Sequence, residues 1–162
     1  MKHPKTGLPA VYLKPGELYF AKHPTVVSTV LGSCVSVTMY SRAAGTGAIC
    51  HALLPEGPQD DAFRYVNTSI LHMLDMFAAQ GIKHEQIEVK VFGGSEMIED
   101  KGRSTLSIGR RNVEIAEQVL AARGLSPLAS DVGGKRGRKL FFYTHTGEVF
   151  LKRLHRRKIE RG

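Results

Sequence analysis

The sequence lacks the residues on which several classes of protein depend. It has no tryptophan and only two cysteines, Cys34 and Cys50, in 162 residues. Two cysteines are too few for a disulfide framework, and they do not form the paired CxxC spacing of a zinc site. No stretch approaches the roughly 18 uninterrupted apolar residues of a membrane-spanning helix, and the first residues lack the apolar run of a signal peptide. We therefore expect a cytoplasmic protein with no membrane insertion.

Common catalytic and cofactor-binding motifs are also missing. The sequence has no H-E-x-x-H and no G-x-S-x-G, so it gives no support to metal hydrolysis or serine chemistry. The glycine pairs Gly93-Gly94 and Gly133-Gly134 belong to neither a G-x-G-x-x-G nor a Walker pattern and are better explained as turns. We expect neither a metal nor a cofactor.

The positive charge is concentrated in two segments. The net charge is +8, and residues 135–139 and 152–161 hold ten of the 23 Lys and Arg residues. The rest of the chain, with 13 basic and 14 acidic residues, is nearly neutral. The basic C-terminal tail is either a solvated extension or a segment that steers the protein toward an acidic partner. Nucleic acid is not expected as a partner, because interleaved aromatic residues and helix-turn-helix features are missing.

The apolar pattern predicts one domain of an α+β fold or a layered α/β sandwich. Apolar steps of three and four predict two helices. The first is capped by Asp60 or Asp61 and stops at Gly81, and the second covers 109–123. The segment 95–107 is expected to be a surface loop. Alternating or β-branched runs predict strands at 17–21, 25–31, 35–40, 47–54, 86–92, 128–132, 139–143 and 148–154. The strands within 35–54 should form an antiparallel hairpin, and the last two strands a closing hairpin.

Cys34 has two interpretations. Free cysteine is often buried as a small hydrophobe, which would make Cys34 a core residue. Alternatively it is a nucleophile, because Gly32 and Ser33 precede it and permit a tight turn with N–H groups facing a developing oxyanion. The second interpretation also requires a base close to the thiol in the predicted hairpin.

A base for such a nucleophile lies in the next strand of the same hairpin. His51 would be within reach of Cys34 if the register is right, since paired strands lie about 4.8 Å apart. The hydroxyl of Ser28 or Thr29 would orient the imidazole. Because side chains alternate along a strand, Cys50 should point away from His51 and pack in the core. The other histidines are expected to be structural or on the surface.

Several blocks of the sequence resemble the CheD family of chemoreceptor glutamine deamidases. T-V-L-G-S-C-V-S-V at 29–37 is followed by G-A-I-C-H-A-L-L-P at 47–55 and K-V-F-G-G-S at 90–95. I-G-R-R-N-V at 108–113, S-D-V-G-G-K-R-G-R-K at 130–139 and T-G-E-V-F-L-K-R-L at 146–154 complete the series. The blocks occur in family order, which is more specific than any single motif. The resemblance divides the chain into an irregular segment 1–15, a CheD-like deamidase domain 16–154 and a basic tail 155–162.

The resemblance implies an enzyme that converts glutamines of methyl-accepting chemotaxis receptors to glutamate through a cysteine thioester. It implies a three-layer sandwich with a mixed, largely antiparallel sheet and two main helices. Partners would be receptor cytoplasmic domains and, in some members, a CheC-type phosphatase, so a largely non-catalytic adaptor is the alternative.

The family's catalytic residues carry over by position. Its cysteine and histidine fall on Cys34 and His51. Its orienting threonine, six residues before the cysteine, falls on Ser28, with Thr29 next in the chain, and strand alternation allows only one of the two to serve. Four further residues lie in family-like blocks and are expected to border the site: Gly93, Gly94, Ser95 and Asn112.

Overall fold

A computed structural model describes residues 5–96 and 107–155 of the chain. These ranges contain nine strands, two α-helices and two short 3-10 segments, Gln59–Arg64 and His84–Gln86. In chain order the strands and helices are β1 Ala10–Tyr12, β2 Leu18–Phe20, β3 Val26–Leu31, β4 Val35–Ser41, β5 Thr46–Cys50, α1 Val66–Ala78, β6 Ile87–Gly93, α2 Ile108–Ala122, β7 Ala129–Val132, β8 Arg138–Tyr143 and β9 Val149–Arg153.

The strands form two mixed sheets. One has four strands in the order β1-β3-β8-β9, and the other has five in the order β2-β5-β4-β6-β7. Only the β1/β3 and β6/β7 pairs are parallel. The predicted α+β class and largely antiparallel pairing are confirmed, as are the hairpins β4/β5 and β8/β9. The single sheet that we expected is divided into two.

The five-stranded sheet is the central layer. One face packs on both helices, in a core that includes Val37, Met39 and Cys50. The opposite face packs on the four-stranded sheet through clusters in which Ile49 meets Phe142 and Phe92 meets Leu140. Side chains of β4 and β5 therefore alternate between the helices and the second sheet. The layer between the two sheets also contains polar side chains, and the candidate site lies there.

Three predicted boundaries were wrong. The strand expected at 47–54 ends at Cys50, and beyond it Ala52 and Leu54 form only isolated bridges. Ala10–Tyr12, in the segment expected to be irregular, forms β1, because Val26–Ser28 of β3 offer a parallel partner that local sequence cannot reveal. The first helix starts at Val66 rather than at Asp60 or Asp61. Extended backbone at Tyr65 (φ −109°, ψ 143°) separates it from the 3-10 segment that contains both aspartates.

Parts of two other predictions lie outside the described residues. The predicted loop 95–107 is described only at its two ends, and the basic tail 155–162 only at His155. In the described ranges, neither helix combines the length and the apolar character needed to cross a membrane.

Candidate active site

The candidate nucleophile lies where the chain crosses from one sheet to the other. β3 ends at Leu31 in the four-stranded sheet, and β4 begins at Val35 in the five-stranded sheet. Gly32, Ser33 and Cys34 form the connection between them. Cys34 is half-buried and packs against the apolar cluster of Leu31, Phe92 and Leu140 between the sheets. Its side chain therefore faces the layer that contains the polar groups.

Strand register places His51 near Cys34. Val35 forms an antiparallel bridge with Ala52, with both backbone hydrogen bonds present at 3.0 and 2.9 Å. Cys34 is then opposite Leu53, and His51 is its diagonal neighbour on the same face. Diagonal neighbours in an antiparallel pair have Cα atoms about 7–8 Å apart, a separation that a long or aromatic side chain can bridge. The Cys34 and His51 side chains therefore lie on the same face of the hairpin, one diagonal step apart.

Thr29 holds the histidine ring. Its Oγ1 lies 2.7 Å from Nδ1 of His51 and donates to the carbonyl oxygen of Leu13 at 2.8 Å. A carbonyl can only accept, so the single hydroxyl proton of Thr29 is used there, and Nδ1 of His51 must donate to the hydroxyl oxygen. Nε2 of the neutral ring is then the unprotonated nitrogen, and this buried atom has no hydrogen-bond partner among the described residues.

Burial keeps both reactive groups uncharged at neutral pH. Desolvation lowers the pKa of His51 to about 4, and the Leu13 backbone and Glu17 carboxylate oppose this shift without cancelling it. Desolvation also raises the pKa of the Cys34 thiol, although a hydrogen bond from the cysteine's own backbone acts in the opposite direction. At neutral pH Cys34 is therefore a thiol and His51 a neutral imidazole whose Nε2 can take a proton.

In the turn formed by Gly32, Ser33 and Cys34, two backbone carbonyls accept hydrogen bonds from the segment that follows β6. The N–H of Ser95 donates to the Gly32 carbonyl at 3.0 Å, and the N–H of Gly94 donates to the Cys34 carbonyl at 2.9 Å. In the part of the chain that the structure describes, the N–H groups of Ser33 and Cys34 donate to no other residue. Free backbone N–H groups beside a nucleophile can stabilise an oxyanion.

The residues expected to border the site line the back of this turn. Gly93 has φ +105° and Gly94 has φ +68°, a region that favours glycine. Asn112 of α2 is fully buried, and its Nδ2 donates to the carbonyls of Ser33 at 2.8 Å and Leu53 at 3.0 Å. Gly93, Gly94, Ser95 and Asn112 are thus brought to the nucleophile's turn.

Ser28 and Cys50 lie away from the site. Ser28, the position to which the family threonine was transferred, is next to Thr29 in β3, so its side chain is on the opposite face of the sheet, away from His51. Cys50 is fully buried in the core under the helices, and desolvation raises its pKa to about 12.

Ser36 was not identified from the sequence. It falls opposite His51 if the register of the Val35–Ala52 bridge continues, and its buried hydroxyl has no partner among the described residues. The only signal in the sequence was a polar residue within an apolar strand.

Within residues 5–96 and 107–155, no three His, Cys, Asp or Glu side chains lie close enough together to hold a metal ion.

Comparisons with known proteins agree on one family. A family model described as CheD, chemotactic sensory transduction, matches residues 53–153. A protein of Geobacter sulfurreducens named "Probable chemoreceptor glutamine deamidase CheD 2" is 63% identical over 98% of both chains. Proteins named "Probable chemoreceptor glutamine deamidase CheD" are 40% identical in Maridesulfovibrio salexigens, over 96% of this chain and 98% of the relative, and 34% in Thermococcus kodakarensis, over 89% and 92%. The family model begins after His51, whereas the first of these alignments spans almost the whole chain.

Proposed function

Since the chain belongs to the CheD family of chemotactic sensory transduction proteins, we propose that it deamidates glutamine side chains of chemoreceptors, with Cys34 as nucleophile and His51 as base. The relatives' names supply the reaction and the substrate class. The observation that carries the assignment of residues is the hydrogen-bond chain from His51 through Thr29 to Leu13, which leaves Nε2 as the basic nitrogen.

The first half of the reaction forms a thioester. Nε2 of His51 takes the thiol proton while the sulfur of Cys34 attacks the side-chain amide carbon of glutamine. The N–H groups of Ser33 and Cys34 donate to the oxyanion of the tetrahedral intermediate. The carbon–nitrogen bond then breaks as His51 returns the proton to the departing nitrogen, and ammonia leaves.

The second half consumes water. Nε2 of His51 takes a proton from a water molecule as its oxygen attacks the thioester carbon. The carbon–sulfur bond breaks, the proton returns to the sulfur, and glutamate is released with Cys34 as a thiol. Thr29 keeps the imidazole oriented throughout, and the scheme uses no metal and no cofactor.

We propose that a basic loop also helps the protein to dock to receptors. Lys135 and Arg136 are exposed in the loop that precedes β8, and the Gly133 N–H in this loop donates to the Gly93 carbonyl at 2.9 Å, beside the nucleophile's turn. Positive charge in this position would attract an acidic receptor surface and speed association in a salt-dependent way. Because the proposed substrate is the cytoplasmic part of a receptor, we also propose that the reaction takes place in the cytoplasm.

The test is a mass measurement on a receptor cytoplasmic fragment. Wild-type protein is expected to add about 1 Da per modified glutamine and to release one ammonia, whereas Cys34→Ala adds no mass. Cys50→Ala is the matched control, because it removes the chain's other thiol without touching the site. A fragment left unchanged by wild-type protein would refute the deamidase proposal.

The same samples separate catalysis from an adaptor role. The resemblance also suggests a CheC-type phosphatase as a partner, and we include its binding in the proposal. Binding of the receptor fragment or of such a phosphatase by both wild type and Cys34→Ala, without any change in mass, would favour the adaptor. Failure of a CheC-type phosphatase to bind at micromolar concentrations would remove this partner and leave the deamidase proposal intact.

A further inference from the structure

Asn112 forms hydrogen bonds to two backbone segments that lie next to the candidate nucleophile. Its Nδ2 donates to the carbonyl of Ser33, the residue before Cys34, and to that of Leu53, the residue opposite Cys34 across the hairpin. Both acceptors are backbone carbonyls, so the nitrogen of the side-chain amide must face them. One side chain on α2 therefore connects the helix layer to the turn and to the strand beside it.

Close packing of glycines brings α2 near enough for this contact. A Cβ atom at Gly109 would lie 2.7 Å from the Gly94 carbonyl, closer than a side chain tolerates. The first turn of α2 thus rests directly on the backbone of Gly94 and Ser95, whose N–H groups hold the Cys34 and Gly32 carbonyls. The position of the helix is fixed by the same segment that supports the turn.

The hydrogen bond to Ser33 sets the direction of a neighbouring N–H group. The peptide between Ser33 and Cys34 is trans, since the described residues contain no cis peptide, so its C=O and N–H point in opposite directions. With the carbonyl bound toward α2, the Cys34 N–H points away from the helix.

Packing alone does not explain why an asparagine occupies this buried position. Asn112 is fully buried, and its Oδ1 has no hydrogen-bond partner among the described residues. A buried unpaired amide oxygen lowers the stability of a fold. Groups that lower stability in this way are typical of functional sites.

We infer that Asn112 is a positioning residue, which fixes the Ser33–Cys34 peptide so that the Cys34 N–H donates to the oxyanion formed on the substrate amide. The inference rests on the proposed deamidation. Asn112 touches neither the sulfur nor the substrate in this role and acts through the peptide that it holds. Its removal should therefore affect the step that develops an oxyanion and leave other reactions of the thiol nearly unchanged.

Two reactions of Cys34 separate this role from a structural one. Deamidation of a receptor fragment passes through a tetrahedral oxyanion, whereas alkylation of the thiol by iodoacetamide displaces iodide and forms none. For Asn112→Ser we expect kcat for deamidation to fall about 10- to 100-fold with KM within about threefold. The fall is smaller than the 10²–10³ that complete loss of one oxyanion donor costs, because the Cys34 N–H loses its fixed orientation but is still present. The alkylation rate should stay within about threefold of wild type.

The chain has one other asparagine, Asn67, and Asn67→Ser is the matched control, expected to keep kcat within about threefold.

Each remaining outcome has one meaning. A fall in kcat of less than 10-fold, or alkylation that slows in parallel with deamidation, would overturn the inference. If Asn112→Ser does not fold, Asn112→Leu is measured in the same two assays, since leucine has a similar shape, adds no charge and lacks the amide donors. Wild-type protein that releases no ammonia would refute the proposed function and the inference with it, whereas active wild type with equally active Asn112→Ser would refute the inference alone.

Discussion

Replacing Thr29 by valine tests the geometry of the site most directly. Valine keeps the shape of threonine and removes the oxygen that contacts Nδ1 of His51 and donates to Leu13. Two buried polar groups then lack partners, and each unpaired group costs about 1–3 kcal/mol. We expect the free energy of unfolding to fall by about 2–6 kcal/mol. The imidazole also loses the acceptor that fixes its tautomer, so kcat should fall about 100-fold, within the 10²–10⁴ that general acid–base catalysis contributes.

Two neighbouring substitutions make the result specific. Thr29→Ser keeps the hydroxyl and should retain kcat within about fivefold. Ser28→Ala removes the adjacent hydroxyl, which lies on the opposite face of β3, and should change stability by only about 0.5 kcal/mol and kcat by less than about threefold. Urea unfolding gives the stability, and ammonia release from a receptor fragment gives kcat. Loss of activity in Ser28→Ala with activity retained in Thr29→Val would refute the reasoning.

Three further predictions follow from burial and charge. His51 binds a proton near pH 6.5 in the unfolded chain but only near pH 4 in the folded protein. The free energy of unfolding, measured in urea titrations, should therefore be about 2.5 kcal/mol lower at pH 4.5 than at pH 7. His51→Gln should lose this difference. Cys50→Ala should cost about 1–2 kcal/mol in the same titrations and leave kcat within threefold; a large loss of kcat would mean that Cys50 takes part in the reaction. Reversing the charges of Lys135 and Arg136 should slow receptor deamidation about tenfold at low salt and little at 0.5 M salt, and an unchanged rate at low salt would exclude this loop from docking.

The elements with strong periodicity could be predicted from the sequence. Steps of three and four along α2 and β-branched residues along β3 and β4 depend on local patterns, and these elements appear within one residue or so of their expected ends. β1 could not be predicted, because a three-residue strand exists only through its parallel partner in β3. The division of the strands into two sheets is likewise a property of long-range pairing.

The candidate site was predictable in its residue types and less so in its contacts. Cys34 and His51 follow from a turn and a neighbouring strand, and both lie between the sheets. The choice between Ser28 and Thr29 could not be made from spacing alone, because it depends on which face of β3 meets the second sheet. Leu13 had no signal at all, since its contribution is a backbone carbonyl.

Burial of the site determines how the proposed nucleophile would be activated. Because desolvation raises the pKa of Cys34 and lowers that of His51, a preformed thiolate–imidazolium pair is disfavoured at neutral pH. In the proposed reaction the proton would therefore move to His51 as the sulfur attacks, so that imidazolium and oxyanion would form together. Each new charge would be stabilised by the other and by a fixed dipole, which is the Thr29 oxygen for the ring and the turn N–H groups for the oxyanion. These dipoles are set before the substrate arrives, because the carbonyls that orient the turn are already bound by Gly94, Ser95 and Asn112.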